Sequence, residues 1–108
     1  MESNGEDSIV WIGVVGIVPR EGCELLAPDE GAYANFLTLA ASDSEYRAKV
    51  IGALFYYRLQ LVEFSDVRPL STSNIPSEEI LQIGEELEQS LDPQLVRYAT
   101  LNTFPRGM

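Results

Sequence analysis

Ile9-Val10-Trp11-Ile12-Gly13-Val14-Val15-Gly16-Ile17-Val18 is an unbroken apolar run rich in β-branched side chains. A half-buried strand would alternate apolar and polar residues, so continuous apolar character reads as a strand covered on both faces. Gly13 and Gly16 are poor for a helix and tolerable in a strand that bulges or packs closely on another backbone. The run is about half of the ~20 residues a membrane-spanning helix requires. The remaining elements must therefore supply strands beside this segment and layers over it.

Outward from that strand the punctuation is clear. Met1–Asp7 is short and acidic and reads as a disordered tail. Pro19 to Gly31 holds Pro28, Gly22 and four carboxylates, and reads as a loop of the length at which loops often carry function. Tyr33–Ala40 is a second strand, joined most simply as an antiparallel neighbour. Ser42 followed by Glu45 forms a capping box, and Tyr46, Val50, Ala53, Leu54 and Tyr57 recur on one face of a helix over residues 43–58. Gln60–Phe64 returns as a strand with Val62 and Phe64 on one face. It continues, with a bulge near Ser65, until Pro69 restricts pairing. Pro76-Ser77-Glu78-Glu79 opens a second helix whose inner stripe is Ile80, Ile83, Gly84, Leu87 and Leu91. Leu95–Phe104 is the last strand. The order is ββαβαβ. It predicts an α+β fold, a two-layer sandwich of one four-stranded, mostly antiparallel sheet with two helices on one face, forming a single domain over residues 8–105.

The chain has 108 residues, 17 acidic against 7 basic side chains, a formal net charge of −10, no histidine and one cysteine. Cys23 alone permits neither an intrachain disulfide nor a cysteine-based zinc site. Without histidine, serine triads, Cys–His dyads and histidine metal sites are closed off, which leaves carboxylates as the remaining acid/base or cation-binding groups. One lysine and six scattered arginines argue against nucleic acid as a partner. No apolar stretch or basic leader points to a membrane, so a cytoplasmic location is expected.

Two segments hold the excess charge. Glu21, Glu24, Asp29 and Glu30 lie in the loop, and could gather around a divalent cation, although their spacing matches no calcium loop. Read instead as solvation, the same charge protects a sheet edge. Glu78, Glu79, Glu85, Glu86 and Glu88 line the second helix with no basic residue among them. Such a face suits steering and docking onto a basic protein. Cys23, flanked by carboxylates, lacks the electropositive setting a nucleophilic thiol needs. Phe55 and Tyr56 lie on the flank of the first helix, where aromatic residues favour interfaces. Arg97, Tyr98, Thr100, Asn102 and Thr103 on the last strand offer a polar lining for a small molecule.

No cofactor, metal or catalytic residue is assigned. The leading functional expectation is a non-enzymatic acidic module that binds a basic protein partner through the nine loop and helix carboxylates just named. An inhibitor or immunity-type protein is its concrete form. The alternative is a small carboxylate-based enzyme or small-ligand-binding protein using the sheet face or the 19–31 loop. A structural homo-oligomer is the third reading, and a homodimer is compatible with the first helix and the doubly apolar strand.

Overall fold

The computed structural model describes residues 8–73, 77–92 and 94–105, with Thr100 described by its backbone alone. The expected acidic tail and Pro76 lie outside the described residues. The elements follow the order β1 (Ile9–Pro19), β2 (Glu30–Ala40), α1 (Asp43–Tyr56), β3 (Leu59–Pro69), a 3₁₀ turn (Leu70–Thr72), α2 (Glu78–Gln89) and β4 (Val96–Pro105). The strands form one antiparallel sheet of order β3-β1-β2-β4. The α+β class, the four-stranded sheet and the ββαβαβ order are as the sequence predicts.

The helices differ from the expectation in one respect: they cover opposite faces. Residues directly opposite in an antiparallel pair share a face, and neighbours along a strand alternate. Val15 and Ile17 of β1, opposite Ala34 and Ala32 of β2, pack with Tyr46, Val50 and Leu54 of α1. Val10 and Ile12, with Leu37 and Ala99, pack with Ile80, Ile83 and Leu87 of α2 on the other face. The reason lies in β1 itself. A strand apolar on both sides leaves an exposed apolar stripe in a two-layer arrangement, at about 25 cal/mol per Å². The connection between the two edge strands carries α2 across the second face and covers that stripe. It covers only one end. Beyond its reach Val14 and Val18 are half-buried, and the Tyr33 ring lies against Gly16, with Tyr33 Oη donating to Glu63 Oε2 at 3.2 Å.

The α1 face centres on Tyr46, which is fully buried. Its hydroxyl donates to the Phe36 carbonyl at 2.8 Å. A Cβ on Gly13 would stand 2.7 Å from that oxygen and 3.0 Å from Val67 Cγ2, so the close approach needs glycine there. Helix α1 starts on Ser42, whose Oγ accepts from Glu45 N at 3.1 Å, while Glu45 Oε1 accepts from Ala41 N at 2.6 Å. The reciprocal bond of the capping box thus falls one residue earlier than its usual place. Lys49 ties α1 to β2, its Nζ donating to the Leu39 carbonyl at 2.8 Å. Two side chains depart from their expected positions. A register slip between Gly16 and Ile17, opposite Glu63 and Leu61, makes Val62 an extra residue, and it is 58% exposed. Helix α2 ends at Gln89, so Leu91 lies past the inner stripe and is fully exposed. The slip at Asp66–Val67, by contrast, matches the bulge expected near Ser65.

Two measurements probe this packing. Gly13→Ala should lower the free energy of unfolding in urea by about 1–3 kcal/mol through overpacking. Gly52→Ala, at an exposed helical position where an added Cβ meets nothing, should raise it by up to ~1 kcal/mol. Burial pushes the Tyr46 hydroxyl's pKa above the usual tyrosine range. Above about pH 10 the unfolded chain loses this proton and the folded chain keeps it, so stability present below that pH falls as pH rises, by up to ~1.4 kcal/mol per unit for this group. Tyr46→Phe should weaken that dependence in alkaline denaturant titrations, after losing about 1 kcal/mol of hydrogen bonding at neutral pH.

Candidate interaction surface

Helix α2 is two-sided. Ser77 caps it by accepting from Ile80 N at 3.4 Å, and Glu78 and Glu79 sit in the first turn, where the helix dipole favours carboxylates. Ile80, Ile83, Gly84 and Leu87 are buried. At 100° per residue, Glu78, Leu81, Glu85 and Glu88 share the outward face. All four are exposed, Leu81 to 53%. Glu86 leans toward the sheet and pairs with Arg97 of β4. Among the described residues Glu78, Glu79, Glu85 and Glu88 make no ion pair. The outward stripe is therefore an apolar side chain within a rim of uncompensated carboxylates. Leu81 is absent from the sequence-level site, although the helical period that places Glu85 and Glu88 together places it between them.

The loop carboxylates do not join this surface. Helix α2 packs at the Val10–Ile12 end of β1, whereas the loop leaves the sheet at Pro19 and re-enters at Glu30. The stretch of β1 from Val10–Ile12 to Pro19 separates them by roughly 23–30 Å. Within the loop Glu30 Oε1 accepts from Ala27 N at 3.1 Å and closes a turn. Asp29 is exposed, and Cys23 packs half-buried against the α1-side core with Leu25 and Leu26. Among the described residues no three acidic or cysteine side chains come together as a cation site. Glu21, Glu24, Asp29 and Glu30 form no such group.

Glu21 and Glu24 belong instead to a different corner, at the C-terminal end of α1. Phe55 and Tyr56 are 76% and 80% exposed there. Arg20 and Arg58 flank them, joined through Arg20 N donating to the Arg58 carbonyl at 2.8 Å. Arg20, Glu21, Phe55, Tyr56 and Arg58 line an open depression of about 740 Å³, and Glu24 lines the adjoining one with Tyr56 and Arg58. Arg58 has φ 60°, a left-handed conformation that favours glycine. Its side chain lies along Gly22, itself at φ 87°, where an added Cβ would stand 3.1 Å from Arg58 Cδ.

The polar side chains of β4 are dispersed by strand alternation. Tyr98 packs on Phe36 and Tyr57 on the α1 side, while Arg97 faces α2. Asn102 and Thr103 pair with Tyr33 and Ala32 and so point to opposite faces. A smaller depression of about 220 Å³ does open on the α2 side, between Asn35, Asp66, Arg68 and Ser73. The chain matches no protein-family model, no curated protein and no solved structure. Among the described residues no helix is long and apolar enough to cross a membrane.

Arg58→Gly should stabilise the fold by about 0.5–1 kcal/mol in chemical denaturation, because glycine removes the left-handed penalty that exceeds its own entropic cost.

Proposed function

We propose that this chain is a non-enzymatic interaction module that docks a basic protein through the outward stripe of α2. The observation that carries this reading is the grouping of Leu81 with Glu78, Glu85 and Glu88 on one exposed face. Interfaces of this kind use an apolar anchor inside a charged rim, the rim setting the association rate and the anchor the dissociation rate. Glu85 and Glu88, three residues apart, repel each other by a few tenths of a kcal/mol, which cations on a partner relieve. Glu79 extends the rim. Glu86, already paired with Arg97, holds the helix to the sheet. The loop carboxylates act at the far end of the molecule and are not part of this contact. An inhibitor or immunity-type protein that covers a basic enzyme in the cytoplasm is the concrete form of the proposal.

A small-ligand-binding role would use one of the surface depressions. The one bordered by Asn35, Asp66, Arg68 and Ser73 holds about 220 Å³, below the ~300–1,000 Å³ typical of ligand sites. Those of about 870 Å³ along α1 and about 740 Å³ at its C-terminal end are large enough but open to solvent, with Tyr56 80% exposed at the rim of both, whereas ligand sites bury most of the ligand's surface, so the helix surface is the better-supported reading.

Binding kinetics with a basic partner captured from the native source test the proposal. Association should slow at least about tenfold between ~0.05 and ~0.5 M salt. Glu85→Lys with Glu88→Lys should slow association at low salt, whereas Leu81→Ala should mainly speed dissociation. Equal binding at both salt concentrations, or indifference to all three substitutions, overturns it.

A further inference from the structure

The corner at the end of α1 is a second surface, independent of α2. Its centre is Phe55 and Tyr56, adjacent residues that leave three-quarters or more of their area in solvent. Ile51, one turn before Phe55, is 47% exposed and adjoins the same apolar patch. Around them stand Arg20, Arg58, Glu21 and Glu24, two charges of each sign lining the same depressions. Among the described residues none of these four side chains forms an ion pair. The other three described arginines and Lys49 are each paired with a carboxylate. Among the described residues cations are thus left unmatched only here, and Arg58 is held in a backbone conformation that disfavours it. Strain of this sort concentrates where a side chain's direction matters for function.

We propose that this corner binds the same corner of a second copy of the chain, forming a two-fold symmetric dimer. The charge distribution selects that occupant. Two molecules of net charge −10 repel at long range, so they can approach closely only where the surface is locally neutral. A basic protein is drawn to α2, and an acidic one meets Glu21 and Glu24. A two-fold axis through Phe55 and Tyr56 stacks the aromatic centres of two copies and brings the unpaired arginines and glutamates of each within reach of the other's. The surface is complementary to itself.

Sedimentation velocity and mixing of charge-reversed chains test the dimer. The wild-type protein should pass from monomer to dimer between about 1 and 100 μM, the range of non-obligate contacts. Phe55→Glu, at a solvent-facing position that leaves the core intact, should weaken self-association at least tenfold with an unchanged circular dichroism spectrum. Arg20→Glu with Arg58→Glu, and separately Glu21→Arg with Glu24→Arg, should each give monomers. Mixed in equal amounts, the two reversed chains should form a heterodimer. A wild-type protein that stays monomeric over the whole range overturns the proposal. So does a dimer indifferent to Phe55→Glu, or a pair of reversed chains that remain monomeric when mixed.

Discussion

Strand β1 is flanked by β2 and β3 and is apolar toward both faces, and the rest of the fold answers that constraint. One face is closed by α1 around Tyr46, the other by α2 around Ile80, Ile83 and Leu87. The two coverings are unequal. Helix α1 runs from the Ala40 end of the sheet to the Leu59 end and seals most of its face together with Leu26 of the loop. Helix α2 enters and leaves at the same end of the sheet, because β3 finishes and β4 begins there. The unsealed half of that face is completed by cross-strand aromatics, Tyr33 over Gly16 and Phe104 over Gly31.

Much of this was legible in the residues. The apolar run, the Ser42–Glu45 cap, the Tyr46–Val50–Leu54 stripe and the Pro69 stop each carry a local physical reason, and each element formed where its reason lay. The layering departs from the one-face expectation, although β1 contains the signal for it. A strand needing cover on both faces is inconsistent with two helices on one. Strand order was hidden for a different reason. Which edge β4 joins depends on how far the 70–95 connection travels across the sheet, and no local pattern encodes that distance. Val62 and Leu91 illustrate the same limit, since a one-residue slip or an early helix end reverses exposure without changing composition.

The surfaces divide along similar lines. Carboxylates on α2 were legible because helical geometry orders them, and Leu81 follows from the same period. The corner around Phe55 and Tyr56 was legible only in its aromatics. Arg20 and Arg58 are 38 positions apart and meet because the β1 exit and the β3 entry lie side by side, where Arg20 N reaches the Arg58 carbonyl. The acidic loop divides as well: Glu30 closes a turn, whereas Glu21 and Glu24 face the aromatics.

Lys49 is the one lysine in the 108 residues, and its side chain is only 10% exposed. Its ammonium is held by the Leu39 carbonyl and lies 3.6 Å from Glu45. An amine in that position cannot act as a nucleophile without giving up those contacts. Acylation and isopeptide attachment at this lysine are therefore hindered in the folded domain and unhindered once α1 separates from β2. In these residues, lysine-directed tagging would discriminate between the folded and unfolded chain rather than regulate the folded one.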